Sequence, residues 1–196
     1  MRLAQRPKPF DHPDWIFEIK YDGFRALAYI EDGECTLISR RNHEYKSFHA
    51  LREDIRSSIA VENAILDGEI VCLSEDGHPQ FYELLYRRNE PFFLAFDLLY
   101  LNGADLRELP LHERKRRLRK VIARSKSSRV RFSDHIETSG RDMFRAACRM
   151  DLEGVVAKLK HAPYIADQRR STWIKIKNPD YTQAEGRREL FEQRRS

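Results

Sequence analysis

Two short strand-like stretches, residues 25–30 and 35–40, are separated by the dipeptide Asp32-Gly33. An Asp-Gly pair tolerates the positive backbone angles of a tight reversal, so the two stretches are expected to pair at once as antiparallel neighbours. A sheet begun in this way restricts everything that follows. Residues 15–20, 64–73, 92–100, 154–160 and 172–177 are also strand-like, and residues 48–59, 81–86, 111–123 and 142–150 have helical spacing. Strands outnumber helices and come in hairpins, without regular strand-helix alternation. The expected class is therefore α+β, with antiparallel sheets flanked by helices and no doubly wound parallel sheet.

With 196 residues, 41% of them hydrophobic and 34% charged, the chain has material for one sizeable core. Residues 1–14, which include Pro7, Pro9 and Pro13, read as an extended arm, residues 15–180 as the folded domain, and residues 181–196 as a charged tail that is helical or frayed. The longest apolar run, residues 91–101, is interrupted by Asp97 and is too short to span a bilayer. No secretory signal pattern opens the chain, so a cytoplasmic protein with no membrane partner is expected. Cys35, Cys72 and Cys148 are too dispersed to suggest disulfides or structural zinc. A formal charge of +5 favours an anionic partner such as nucleic acid. Along residues 111–123, Leu118, Val121 and Ile122 share one helical face, and the basic residues 114–120 fall mostly elsewhere, as on a solvated face.

Lys20-Tyr21-Asp22-Gly23-Phe24-Arg25 puts a lysine at a strand end, followed by an acid, a turn glycine and an arginine. A match to K-x-D-G-x-R arises by chance in on the order of one chain per thousand of this length, so it is suggestive only when taken alone. Further segments follow in order: Ser39-Arg40, Leu66-Asp67-Gly68-Glu69, Phe96-Asp97-Leu98-Leu99-Tyr100, Glu153-Gly154-Val155-Val156-Ala157-Lys158 and Trp173-Ile174-Lys175-Ile176-Lys177. Together they resemble the ordered motifs of the covalent nucleotidyltransferases, the superfamily of ATP-dependent DNA ligases, RNA ligases and mRNA capping enzymes. The lead-in from Pro9 to Lys20 is similar to bacterial ATP-dependent DNA ligases, especially the ligase domain of end-joining enzymes. NAD-dependent ligases share the lysine motif but carry a nicotinamide domain and zinc cysteines that this sequence lacks.

The resemblance implies an ATP-grasp-like nucleotidyltransferase domain of two antiparallel sheets and a specific reaction. Lys20 would attack the α-phosphate of ATP, expel pyrophosphate and become a lysyl-AMP phosphoramidate. AMP would then pass to a 5′-phosphate of nicked or broken DNA, and the adjacent 3′-hydroxyl would displace it. An amine attacks only when unprotonated, and the resemblance sets Lys158, Lys175 and Lys177 around the same pocket, where they favour the neutral amine and bind phosphates. It implies that Glu69 and Glu153 serve around Mg²⁺ and the ribose, that Phe96 stacks on adenine, and that Glu18 reads the adenine amino group. Arg25, Arg40 and Arg169 match positions that contact the ribose and phosphates.

Two departures stand out. His43 replaces a glycine that often follows the Ser-Arg-Asn of relatives, and Arg41 adds a residue there. About twenty residues follow Lys177, too few for the OB-fold domain that completes a DNA ligase. An OB-fold domain or end-joining proteins on another chain are thus expected partners. The alternatives are an RNA ligase or capping-type enzyme, and a nucleotide- or DNA-binding module without turnover.

Overall fold

The computed structural model describes residues 3–165 and 171–184. The strands are β1 (Ala4–Gln5), β2 (His12–Ile19), β3 (Phe24–Glu31), β4 (Glu34–Ser39), β5 (Ala64–Val71), β6 (Phe92–Leu101), β7 (Ala104–Asp105), β8 (Val130–Phe132), β9 (His135–Thr138), β10 (Gly154–Leu159) and β11 (Trp173–Lys177). The helices are α1 (His49–Ser58), α2 (Phe81–Tyr86), α3 (Leu111–Ala123) and α4 (Gly140–Arg149), with a short 3₁₀ turn over Thr182–Ala184.

The strands form two sheets, as expected for this α+β class. One has the order β1-β11-β10-β2-β9; the other runs β4-β3-β5-β6-β7, with β8 added beside β6. Most pairings are antiparallel, but β1 lies parallel to β11 and β8 parallel to β6. The hairpin at Asp32-Gly33 forms with both residues at positive φ. Neither β8 nor β9 has an expected counterpart in the sequence, because each is too short to develop a clear two-residue period. Residues 4–5, within the proline-containing opening, join the edge of the first sheet.

Alternation decides which faces are covered. Along β3, Ala26, Ala28 and Ile30 point into a core completed by Leu37, Leu66, Ile70, Phe93 and Leu98 and sealed by Leu51 and Ile55 of α1. The first sheet has its own core, where Phe17, Val155, Ala157 and Ile176 meet Ala147 of α4 and Phe10. A smaller cluster of Ile16, Leu111 and Trp173 lies at the junction of the sheets, with Phe96, Val156 and Tyr164 packed against it. Ile16, Phe17 and Glu18 are all buried, so β2 is covered on both faces and carries a charged side chain inward.

Helix α3 corrects the reading of its basic run. The buried positions are Leu111, Arg114, Lys115, Leu118 and Ile122, which form one continuous helical face. Arg114 and Lys115 therefore face the interior, where a charge is tolerated only if it is paired. Arg114 makes a bidentate pair with Asp97, Nε to Oδ1 and Nη2 to Oδ2 both at 2.8 Å, and the Leu98 N–H also donates to Asp97 Oδ1 at 2.8 Å. Both side chains of this pair are fully buried.

Removing one member strands the other. Arg114→Met is expected to lower the unfolding free energy by about 3–5 kcal/mol, measured by denaturant titration. Asp97→Val/Arg114→Met, which removes both charges, should recover most of that loss. Equal destabilisation by the single and double variants would show that the pair itself, rather than an orphaned charge, sets the cost.

Candidate active site

Lys20 sits immediately beyond β2, and its N–H donates to Gly154 O at 2.9 Å. From there the chain leaves the first sheet and enters the second through Tyr21, Asp22 and Gly23. A Cβ on Gly23 would stand 2.2 Å from Ile70 O, so only glycine allows this crossing to lie so close to β5. Gly154, opposite Lys20, has φ +137°, and a Cβ there would stand 2.1 Å from Ile176 O. Asp22 is buried and accepts a hydrogen bond from the Tyr181 hydroxyl at 2.8 Å.

A cleft opens between the sheets, lined among others by Glu18, Lys20, Arg25, Glu69, Phe96 and Lys158. Its two ends differ chemically. At the inner end Glu18 is buried and accepts from two lysines, Lys115 Nζ to Oε1 and Lys158 Nζ to Oε2, both at 2.7 Å. The Ser133 hydroxyl donates to Oε2 at 3.3 Å. Burial alone would raise the Glu18 carboxyl, but the two ammonium groups outweigh it and hold it below the usual carboxylate range. Burial pushes Lys158 down to about 8 despite its carboxylate partner. The Lys158 ammonium also lies 4.2 Å from the Phe96 ring centre and 4.1 Å from that of Trp173. Phe96 and Trp173 meet edge to face at 5.7 Å and form an aromatic wall of the cleft.

At the outer end the Lys20 ammonium contacts the Glu153 carboxylate, which also pairs with Lys177 at 3.6 Å. Lys175 is lowered by burial and then by the nearby charges of Lys177 and Lys20. Glu69 lines the cleft beside Lys20, and burial pushes its carboxyl up to about 8, with Glu153 adding to the rise and Lys20 opposing it.

Arg25 closes the side of the cleft. Its Nε and Nη2 donate to Asp67 at 3.0 and 2.6 Å, and the Tyr164 hydroxyl donates to the same carboxylate at 2.9 Å. Burial works to lower Arg25, yet Asp67 more than compensates and raises it. Behind Arg25 lies a second cavity that Ser39, Arg40 and Asn42 help to line. The loop carrying Arg41 and His43 is closed by the Ser39 N–H to His43 O bond at 2.8 Å, with Asn42 at positive φ.

The geometry thus gathers Glu18, Lys20, Arg25, Glu69, Phe96 and Lys158 on one cleft, with Glu153, Lys175 and Lys177 at its mouth. Arg40 lines the adjoining cavity, and Arg169 lies outside the described residues. Lys158 differs from its expected company: its ammonium belongs to the Glu18 end, apart from the Lys20, Lys175 and Lys177 group. Sequence reading missed Lys115, Ser133 and Tyr164 altogether and gave Asp67 and Trp173 no role. The core-facing spacing of Lys115 with Leu111 and Leu118 was the available signal. Among the described residues no group of three or more His, Cys, Asp or Glu side chains could hold a metal. Glu69 and Glu153 alone suit an ion that takes its remaining ligands from water and substrate phosphates.

Residues 3–177 match the family model described as the ATP dependent DNA ligase domain. The chain is 34% identical over 169 residues to the multifunctional non-homologous end joining protein LigD of Pseudomonas aeruginosa, covering 84% of this chain and 20% of that protein. It is 28% identical over 189 residues to the SPbeta prophage-derived DNA ligase-like protein LigB of Bacillus subtilis, covering 93% of this chain and 68% of that one. A solved structure of mycobacterial DNA ligase D complexed with ATP and MES superposes with a TM-score of 0.75 at 28% identity, covering 89% of this chain and 58% of that chain. The chain therefore spans only about a fifth of the LigD relative's length.

The raised Glu69 carboxyl has a thermodynamic signature. In the folded state it keeps its proton up to about pH 8, whereas unfolded it releases it near the ordinary value of 4.5. Its contribution to stability is full below about pH 4.5, is lost as pH rises towards 8, and changes no further above that. Between those limits Glu69→Gln should abolish a stability slope of up to about 1.4 kcal/mol per pH unit, read from denaturant unfolding at pH 5, 6, 7 and 8. Parallel profiles for the two proteins would place the Glu69 carboxyl in its ordinary range.

Proposed function

The chain belongs to the ATP-dependent DNA ligase domain family, and from that premise we propose that it adenylates itself on Lys20 and passes AMP to a 5′-phosphate of nicked or broken DNA. The observation that carries this reading is the Lys20 amine, in contact with a carboxylate, at the mouth of a cleft whose far end holds an ionised glutamate and an aromatic wall.

The Lys20 ammonium must lose a proton before it attacks, and the Glu153 carboxylate at Nζ is positioned to take it. Nitrogen then bonds to the α-phosphorus as the bond to pyrophosphate breaks, giving the phosphoramidate. Phe96 stacks on the base from the aromatic wall that it forms with Trp173, Glu18 accepts from the adenine amino group, and Arg25, fixed by Asp67, reaches the ribose side. Lys175 and Lys177 bind phosphate oxygens at the mouth, with Arg40 and Arg169 as further nucleotide contacts. Glu69 and Glu153 are the residues that would hold Mg²⁺, which when bound neutralises charge on the phosphates. Loss of the Glu69 proton would accompany such binding.

In the later steps the 5′-phosphate takes AMP from Lys20 and the neighbouring 3′-hydroxyl seals the strand, in DNA repair or recombination. An OB-fold domain or end-joining proteins would enclose the DNA. Among the described residues no helix is long and apolar enough to cross a membrane, in keeping with a cytoplasmic site of action.

Incubation with α-labelled ATP and Mg²⁺, beside GTP and NAD, should give an acid-labile AMP adduct from ATP alone. Lys20→Ala should abolish it, and Glu153→Gln should slow it on the order of 10²-fold or more. Full labelling of the Lys20→Ala protein would remove Lys20 from the mechanism, and equal labelling by GTP would favour a capping-type enzyme.

A further inference from the structure

Lys115 is absent from every recognisable motif, yet its surroundings are unusual for a lysine. It projects from the interior face of α3, its side chain is 2% exposed, and its ammonium has three acceptors. These are Glu18 Oε1 at 2.7 Å, the Ser133 carbonyl at 3.0 Å and the Phe96 carbonyl at 3.4 Å. Burying an ammonium costs several kcal/mol unless it is paired and hydrogen-bonded, and here each acceptor belongs to a residue lining the cleft. Lys115 itself does not line the cleft. Whatever it does to a bound nucleotide passes through the groups that it holds.

We propose that Lys115 is a positioning residue that fixes the Glu18 carboxylate and the Phe96 backbone at the inner end of the cleft, and so sets the preference for adenine over guanine. The proposal rests on the reading of the cleft as an adenine-nucleotide site. A carboxylate accepts hydrogen bonds and donates none when ionised. Held in one orientation, it takes a hydrogen bond from an exocyclic amine and repels a carbonyl oxygen at the same ring position. Lys158 secures only one of the two oxygens, and the Ser133 hydroxyl approaches that same oxygen. Without Lys115, Oε1 has lost its ammonium partner, the carboxylate gains freedom to turn or to take up a proton, and a protonated carboxyl can donate to a guanine carbonyl. Discrimination then falls.

The test is equilibrium binding of ATP and of GTP to the full chain, with adduct formation followed in parallel. Lys115→Met should weaken ATP binding at least tenfold and narrow the ATP to GTP ratio by a similar factor, while the adduct-forming rate at saturating ATP changes less than threefold. Lys115→Gln, which keeps a donor but no charge, should move in the same direction and decides the matter if Lys115→Met does not fold. Lys115→Arg should restore both affinity and preference. Wild-type affinity and preference in the Met or Gln variant would overturn the proposal, as would a loss of rate at saturation with unchanged affinity. A wild-type chain that binds ATP selectively but forms no adduct would refute self-adenylation and leave the role of Lys115 standing.

Discussion

The Glu18 carboxylate is the point on which both sheets converge. It is carried by β2 in the first sheet, gripped by Lys158 of β10 in the same sheet, and gripped again by Lys115 of α3, which packs against β6 of the second. A carboxylate that is 2% exposed is stable only with ionic partners beside it, and here it takes one ammonium on each oxygen. The pairing therefore demands that the β2–β10 register, the docking of α3 and the chain around Ser133 all be correct at once. Apolar packing at the junction, through Ile16, Leu111 and Trp173, supplies the driving force but would tolerate some sliding. The charge cluster removes that freedom, and the shape of the inner end of the cleft follows from it.

Much of this architecture was legible because its signals are local. The Asp32-Gly33 turn sets the β3–β4 hairpin within a short span of chain, and the lysine motif puts Lys20 at a strand end before any contact is known. What stayed hidden are pairings across long stretches of chain. Glu18 meets Lys115 97 positions away and Lys158 140 positions away, and nothing in the sequence close to Glu18 marks such partners. Arg114 and Lys115 were misread for a related reason. Helical periodicity assigns faces by hydrophobicity, so a charged residue at a core-facing position scores as a solvent-facing one unless its partner is known. The glycines Gly23 and Gly154 were readable as motif members, but their necessity lies in the carbonyls of Ile70 and Ile176, which only the folded strands bring near.

The cleft divides its work by exposure. At the inner end Glu18, Lys115 and Lys158 have side chains about 2% exposed, whereas Lys20 is 20%, Glu153 12% and Lys177 49% exposed at the mouth. Ion pairs weaken as water screens them, so the inner cluster behaves as a fixed template and the outer one as a set of charges free to rearrange. That difference suits nucleotidyl transfer. A base is recognised by a shape that does not change through the reaction, while the phosphates change partners at each step, first releasing pyrophosphate and then receiving a DNA terminus.

Arg25 couples the two ends without belonging to either. Its guanidinium is locked by Asp67, with the Tyr164 hydroxyl on the same carboxylate, and lies 5.6 Å from the Phe96 ring centre and 5.4 Å from that of Trp173. A planar, permanently charged group held through two N–H groups on one carboxylate has its orientation fixed. Asp67 and Glu69 alternate along β5 around Gly68, where a Cβ would come within 2.8 Å of Leu94 O. The strand that orients Arg25 is thus the strand that delivers Glu69 beside Lys20, and β3 and β5 are in register at Arg25 and Glu69. A shift of β5 by one residue in that pairing would turn Asp67 and Glu69 to the opposite face of the sheet. The two ends of the cleft are consequently indexed to each other through the backbone of the second sheet, in addition to the side-chain charges at the junction.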